Sequence, residues 1–139
     1  MWYYNGEVFT SEMIEDHIGF VYVITHLLTK RKYVGKKLFV SKRRLPPLKG
    51  KSRKRIVIKE SDWQTYYGSS DEVKALVEDI GEGGFKREII HLCKSRGVMS
   101  YMEAKEQFDR EVLLSDEYFN GIINCRINRS HVKSLIKDE

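Results

Sequence analysis

The sequence contains little of what marks secreted, disulfide-bonded or membrane-spanning chains. Its 139 residues include only two cysteines, Cys93 and Cys125, and their spacing fits no metal-binding motif. No apolar run approaches the length of about 18 residues that crosses a bilayer. Residues 1–6 lack the basic and apolar segments of a secretory signal. We therefore expect a cytoplasmic protein without membrane association, in which both thiols are reduced and buried.

Acidic residues are absent from one long stretch, residues 30–59, which holds 14 of the 25 lysines and arginines. The rest of the chain has 11 basic and 20 acidic residues, so its net charge is −9 although the whole chain carries +5. A dense basic block on an acidic body is typical of a surface that binds nucleic acid, and a solvated loop is the alternative. The side chains expected to contact nucleic acid are Lys36, Lys42, Arg44, Lys49, Lys51, Arg53, Lys54 and Arg55.

Length and composition indicate a single domain over residues 1–139. Apolar residues make up 41% of the chain and charged residues 32%, which is typical of a globular protein with one modest core. Near the N-terminus, Asn5-Gly6 between two short apolar runs predicts a β-hairpin. Thr10 then caps a short predicted helix that reaches about Asp16.

Two runs of β-type residues each carry one tyrosine, and the tyrosines are 11 positions apart. Residues 20–25 are a continuous series of β-branched and aromatic residues, which predicts a buried strand. Residues 32–40 predict a second, antiparallel strand, on which Tyr33, Gly35 and Lys37 share one face.

The two prolines, Pro46 and Pro47, lie together in the basic stretch and exclude an uninterrupted helix there. We therefore expect a basic loop over residues 41–55, followed by a short extension or edge strand over residues 55–59. The other predicted elements are a short helix at residues 61–67, a helix at 71–80 capped by Ser69 or Ser70, a core strand at 85–93, a helix from Ser100 to about Leu114, a short strand or extended segment at 121–127 and a short basic helix or arm from Arg129.

The tyrosine-bearing runs, Phe20-Val21-Tyr22-Val23-Ile24-Thr25 and Lys32-Tyr33-Val34-Gly35, resemble the signature of the GIY-YIG nucleases. The order strand, strand, helix, strand, helix and then an asparagine also matches that family, most closely its small phage-encoded, homing-endonuclease-like members. The resemblance covers residues 19–120, with residues 41–59 as a basic insertion. Residues 1–18 then form an N-terminal hairpin and helix, and residues 121–139 a C-terminal extension.

The resemblance implies both a fold class and an activity. The fold is α+β, with a small antiparallel sheet of about three core strands flanked by helices. The activity is metal-dependent hydrolysis of DNA phosphodiester bonds, with duplex DNA as the partner. The location is the host-cell cytoplasm if the chain is phage-encoded, and a homodimer would be one way to cut both strands.

The tyrosine pair suits this chemistry only in a positive environment. Phosphodiester hydrolysis needs a base that activates water and a cation that stabilises the charged transition state. A free tyrosine, with a pKa of about 10, is a poor base at neutral pH. Lysines, arginines and a divalent ion around Tyr22 and Tyr33 should lower the pKa of these residues. The resemblance implies that Tyr22 is the base and Tyr33 its partner, and the alternative is that both are ordinary strand aromatics.

The resemblance also implies one Mg²⁺ or Mn²⁺ ion, held by a glutamate on the last long helix. Glu103 and Glu106 both lie there, three positions apart. Glu103 is the favoured ligand, although its place three residues after Ser100 also fits a capping box. Glu106 remains an alternative because Gln107 and Phe108 follow it, and a glutamate followed by glutamine or asparagine and then an aromatic residue also occurs in relatives.

The phosphate-binding cation is the least regular part of the pattern. The family's catalytic arginine lies about ten residues after the second tyrosine, which implies Arg43, and an arginine can grip two phosphate oxygens. Lys37 is a competing cation because strand alternation places it on the face of Tyr33. In relatives a histidine follows the arginine one helical turn later, but Pro47 stands at that position here. Either Tyr66 or Tyr67 takes the place of this histidine in the site, or the histidine has no replacement.

The chain's Tyr-Phe-Asn-Gly segment contains Asn120, which matches the family's terminal asparagine and would support the site by hydrogen bonding. Asn-Gly is also a common turn pair. Together the missing histidine and the broken helix leave a second hypothesis open. In that hypothesis the chain is a catalytically inactive nucleic-acid-binding module on a nuclease scaffold.

Overall fold

A computed structural model describes residues 1–136, and a five-stranded sheet forms its centre. The strands of this sheet are β1 (Trp2–Tyr4), β2 (Glu7–Phe9), β3 (Gly19–His26), β4 (Lys32–Leu38) and β7 (Phe85–Cys93). Their spatial order is β2-β1-β7-β3-β4. β1 runs parallel to β7, and the other neighbours are antiparallel. The predicted α+β class is confirmed, but the sheet is mixed and larger than three antiparallel strands because the N-terminal hairpin pairs with β7.

The central strand β3 is buried along its whole length, since both faces of the sheet are covered. One face packs an aromatic cluster that includes Phe20, Tyr22 and Trp63. The other face, with Val21 and Val23, packs an aliphatic cluster. The continuous apolar run of β3 therefore follows from burial on both sides.

Two α-helices flank the sheet: α1 (Asp71–Ile80) and α2 (Arg96–Asp109). α1 has the predicted bounds, and the hydroxyl of Ser70 caps it by accepting a hydrogen bond from the backbone N–H of Val73. α2 begins earlier than predicted, because Ser95 is its cap. The predicted capping box from Ser100 to Glu103 is therefore wrong, and Glu103 lies in the middle of the helix.

The basic stretch forms a two-stranded sheet of its own, made of β5 (Val40–Leu45) and β6 (Arg55–Glu60). We call residues 40–60 the basic arm. The loop predicted over residues 41–55 is wrong for residues 41–45, which pair with β6, and the two prolines lie in the connection between the strands. The strand predicted over residues 55–59 is confirmed.

The remaining elements are short 3-10 turns. They comprise Ser11–Met13, Trp63–Thr65, Glu82–Gly84, Val112–Leu114 and Arg129–Leu135. Residues 121–127 have no regular secondary structure, so the short strand that was one of the two expectations for this segment is wrong. The last three residues of the predicted C-terminal extension, 137–139, lie outside the described residues.

The two cysteines differ in environment. Both are free, but only Cys93 is buried and Cys125 is exposed, so the expectation of two buried thiols is wrong for Cys125. Within residues 1–136, no helix has the length and apolar character needed to cross a membrane.

The edge strand β4 is completed by a side chain from the far end of the fold. The amide of Asn120 forms two hydrogen bonds with the backbone of Val34: its Oδ1 accepts from the N–H at 3.0 Å and its Nδ2 donates to the carbonyl at 2.8 Å. Backbone bonds between Lys32 and residues 117–119 continue the same edge. The side-chain amide of Asn120 therefore bonds to the edge of β4 in the way that the backbone of a neighbouring strand would.

Gly35 on β4 is required by a close approach from the neighbouring strand. Tyr22 is its register partner on β3, and the tyrosine ring lies over the glycine. A Cβ atom at residue 35 would lie 2.6 Å from Cζ of Tyr22 and 3.0 Å from Cε1 of Tyr33. Real side chains do not tolerate such contacts, so any residue larger than glycine displaces the tyrosine pair.

We expect the substitution Asn120→Ala to lower the free energy of unfolding by about 1–3 kcal/mol, because it leaves the buried N–H of Val34 without a partner. Chemical denaturation measures the change. Asn124→Ala, at an exposed position four residues further on, is the matched control and should change stability by less than about 0.5 kcal/mol. Equal stability of the two variants would contradict the role assigned to Asn120.

A second stability change is expected for Gly35→Ala. The added methyl group pushes against the rings of Tyr22 and Tyr33, which should cost about 1–3 kcal/mol. Gly121→Ala serves as the control, since a Cβ there would meet no atom within 4 Å. If both glycine variants unfold at the same denaturant concentration, the close approach at residue 35 is not what the structure indicates.

Candidate active site

A cavity of about 270 Å³ opens at the edge of β4 and collects several of the predicted site residues. We call it the tyrosine cavity. Its lining comprises Tyr22, Tyr33, Gly35, Lys36, Ser69, Glu103, Gln107, Ile122 and Asn124. Gly35 has no side chain, so the ring of Tyr22 lies over it and Tyr22 reaches the cavity that Glu103 of α2 also lines.

The two tyrosines lie close together in the predicted arrangement. Their ring centroids are 6.3 Å apart, and the ring of Tyr66 lies 6.0 Å from that of Tyr22. Tyr22 is only 1% exposed, whereas Tyr33 reaches the surface and shares a hydrogen bond of 2.8 Å with Ser69. Of the two tyrosines that could replace the histidine, Tyr66 lies beside the pair, whereas Tyr67 packs against Arg87.

Burial raises the pKa of Tyr22 well above its usual value, and Tyr66 and Tyr33 add to this rise. Burial also raises the pKa of Tyr33, although the hydrogen bond to Ser69 opposes it. The expectation that cations lower these pKa values is therefore wrong for the protein's own residues. The physical reason is that, among the residues that the structure describes, Lys36 is the one basic side chain lining the cavity, and the removal of the tyrosines from water outweighs its charge.

Glu103 projects from α2 into the cavity and is 13% exposed. Its Oε1 lies 3.8 Å from Nζ of Lys36, which itself donates a hydrogen bond of 2.8 Å to Ser100. Burial raises the pKa of the Glu103 carboxyl, and Lys36 partly offsets the rise. Glu103 is thus a poorly solvated carboxylate with room for a further cation.

Glu106 is differently placed, because both of its carboxylate oxygens already have partners. Oε1 lies 2.7 Å from Nε2 of His91, and Oε2 accepts a hydrogen bond of 2.9 Å from Nε of Arg110. Burial acts to raise the pKa of Glu106, but the hydrogen bonds from His91 and Arg110 outweigh burial and lower it. Glu106 does not line the tyrosine cavity.

Sequence reasoning missed Gln107, which lies one helical turn after Glu103. Its Nε2 donates a hydrogen bond of 3.1 Å to the carbonyl of Val34, and its Oε1 is buried without a partner within residues 1–136. Because a buried polar atom without a partner is costly, this oxygen points to a ligand or water in the cavity. The four-residue spacing from Glu103 to Gln107 was the available signal.

The oxygen atoms in the cavity fit a hard divalent cation. Glu103 supplies a carboxylate and Gln107 an unpartnered amide oxygen, which are ligand types that Mg²⁺ prefers. Within the described residues, no group of three or more His, Cys, Asp or Glu side chains could hold a metal ion by itself. The residues therefore fit an ion that keeps several of its waters, as Mg²⁺ does.

Two of the predicted phosphate cations do not line the cavity. Lys37 shares the face of Tyr33 as predicted, but its Nζ lies 2.6 Å from a carboxylate oxygen of Asp62 and 4.2 Å above the ring of Tyr66. Arg43 lies on β5 in the basic arm, where it is exposed and paired with Val57. The structure therefore brings Lys36, rather than Arg43 or Lys37, to Glu103.

The predicted nucleic-acid contacts divide into three groups. Lys36 lies in the cavity, whereas Lys42, Arg44 and Arg55 lie on the strands of the basic arm. The connection between those strands carries the others, all exposed: Lys49, Lys51, Arg53 and Lys54. The arm thus presents most of the basic block on a protruding ribbon.

Comparison with known families identifies the family of the chain. A family model described as "Putative endonuclease segE, GIY-YIG domain" matches residues 2–123. No curated protein and no solved structure matches the chain. The matched region includes the five-stranded sheet, both α-helices, Asn120 and every residue that lines the tyrosine cavity except Asn124. Since it covers most of the sequence, the chain belongs to the GIY-YIG endonuclease family.

Proposed function

We propose that the protein is a metal-dependent endonuclease that hydrolyses phosphodiester bonds of duplex DNA at the tyrosine cavity. The observation that carries this proposal is the convergence of Tyr22, Tyr33 and Glu103 on one cavity, although they come from β3, β4 and α2. The basic arm beside β4 supplies a surface for the DNA backbone. A homing-endonuclease-like role is consistent with this chemistry.

In this proposal Glu103 holds one Mg²⁺ or Mn²⁺ ion, and Gln107 contributes its free Oε1 to the ion or to a bound water. Such an ion, when bound, supplies a positive charge for the phosphate and a more acidic water. Glu106 is not a ligand, because His91 and Arg110 occupy both of its oxygens.

Tyr22 is the proposed base and Tyr33 its partner. Because burial raises both pKa values, the two hydroxyl groups are protonated in the free protein at neutral pH. Loss of the Tyr22 proton is therefore favoured only when positive charge enters the cavity beyond that of Lys36. Tyr33 and Ser69 form a hydroxyl pair at the mouth of the cavity, where they orient a phosphate oxygen.

The remaining groups position the substrate. Asn120 holds Val34 and so fixes the backbone between the tyrosine and the glycine of β4. Lys36 is the proposed phosphate cation nearest the metal ligand. Lys37 and Arg43 contact phosphates further along the DNA, with Lys37 released from Asp62 when the substrate binds.

A second candidate function is a catalytically inactive nucleic-acid-binding module. The observation that favours it is the lining of the tyrosine cavity, which within the described residues includes neither an arginine nor a histidine. Binding that depends on salt but not on a divalent metal, without cleavage, would select this function.

The two glutamates of α2 give a matched test of the metal site. We expect Glu103→Gln to lower the cleavage rate by at least about 100-fold and to weaken Mn²⁺ binding, since it removes the carboxylate ligand. Glu106→Gln should retain cleavage within a few-fold. The measurements are cleavage of duplex DNA at saturating metal and Mn²⁺ binding by electron paramagnetic resonance. A larger loss for Glu106→Gln than for Glu103→Gln would show that our proposal assigns the metal to the wrong glutamate.

Removal of one hydroxyl tests the proposed base. Tyr22→Phe should reduce cleavage by about 100-fold or more while DNA affinity stays unchanged, because the lost group acts on a proton rather than in binding. Duplex, branched and RNA substrates are compared with Mg²⁺ or Mn²⁺ present. The endonuclease proposal fails if the unmodified protein leaves every DNA substrate intact and behaves like Tyr22→Phe.

A further inference from the structure

A second cavity, of about 560 Å³, lies between the basic arm and the start of α2. Four basic side chains from two parts of the chain line it: Lys42, Arg44, Lys94 and Arg96. We call these four residues and the space between them the basic groove. Its floor is apolar and is formed by Ile18, Leu38, Val40 and Ile56, and no acidic residue among residues 1–136 contributes to its lining.

The register of the arm explains why two of these cations face the groove. Lys42 and Arg44 are two residues apart on β5, so their side chains lie on the same face of the ribbon. Ile56 pairs with Arg44 and lies on that face as well. Arg43 lies on the opposite face, so the arm presents basic side chains on both sides.

The charges of the groove are largely free. Within residues 1–136, no carboxylate lies within ion-pair distance of Lys42, Arg44 or Arg96. Lys94 pairs with Asp16 at 3.2 Å, but both side chains are 67% exposed, and such pairs contribute little to stability. A phosphate can replace Asp16 there at small cost.

The groove and the tyrosine cavity lie along the same two elements. α2 contributes Arg96 to the groove and Glu103 to the cavity, and seven helical residues span about 10 Å. β4 contributes Leu38 to the groove and Gly35 to the cavity, and three strand residues also span about 10 Å. One DNA strand rises about 3.4 Å per nucleotide, so this separation corresponds to about three nucleotides.

We propose that the basic groove binds the sugar–phosphate backbone of duplex DNA about three nucleotides from the bond held in the tyrosine cavity. Lys94 and Arg96 then contact phosphates from the side of α2, and Lys42 and Arg44 from the side of the arm. The apolar floor lies against the sugars. The identification of the polyanion as DNA rests on the proposed function, whereas the position of the binding site rests on the groove itself.

The test is the salt dependence of DNA binding by the double variant Lys94→Gln/Arg96→Gln. Affinity for an uncut duplex is measured by fluorescence anisotropy without divalent metal, between about 50 and about 200 mM salt. Loss of two phosphate contacts should make the slope of log affinity against log salt shallower by about 2. Both residues are exposed, and circular dichroism and thermal unfolding verify that the variant is folded.

Lys74→Gln/Lys105→Gln is the matched control, because it removes the same charge from exposed positions outside the groove. Its slope should equal that of the unmodified protein. If the groove variant and the control have the same slope, the inference is overturned, and cleavage by the unmodified protein still supports the proposed function. If the groove variant alone loses slope while no DNA is cleaved, the inference holds and the endonuclease proposal fails.

The position of the site is tested with duplexes in which single phosphates are replaced by neutral methylphosphonates. A replacement about three nucleotides from the cleaved bond should weaken binding of the unmodified protein and leave the groove variant unaffected. Equal losses for both proteins at that position would overturn the assignment.

Discussion

The site depends on the hydrogen bonding of one residue of the edge strand, Val34. Its N–H donates to Asn120, and its carbonyl accepts from both Asn120 and Gln107. Tyr33 and Gly35 flank it, so the three bonds fix the backbone that carries one tyrosine and makes room for the other. Gln107 lies on α2 together with Glu103, and Asn120 follows this helix in the chain. The sheet edge and the candidate metal ligand are therefore positioned by one connected set of contacts.

The local sequence pattern was sufficient to predict the core strands β3 and β7 and the capped helix α1. β3 and β7 are apolar enough to be assigned from sequence, and α1 begins at Asp71, directly after its predicted cap Ser70. The tyrosine pair, Glu103 and Asn120 were predictable only because they resemble a family. Their convergence on one edge is a tertiary property, produced by contacts between residues up to 86 positions apart.

The prediction failed where distant parts of the chain decide the local conformation. α2 begins at Arg96, directly after its cap Ser95, although Gly97 is unfavourable inside a helix. A larger side chain at residue 97 would clash with the backbone and Cβ of His131, which is distant in sequence. β5 has an unusually charged sequence for a strand and forms by pairing with the three consecutive apolar residues of β6. Likewise, burial raises the pKa values of Tyr22 and Tyr33, whereas the basic residues near them in sequence led us to expect lowered pKa values.

The contacts of Asn120 with Val34 also bear on the order in which parts of the fold can form during translation. During translation β3 and β4 emerge early and can pair as a local hairpin, but the edge of β4 stays open until residues 117–120 are available. Closing a loop of this length has an entropic cost that short-range pairing does not. The edge of the cavity is consequently completed only after residues 117–120 are available, so a shorter chain contains both tyrosines and the basic arm without a finished site.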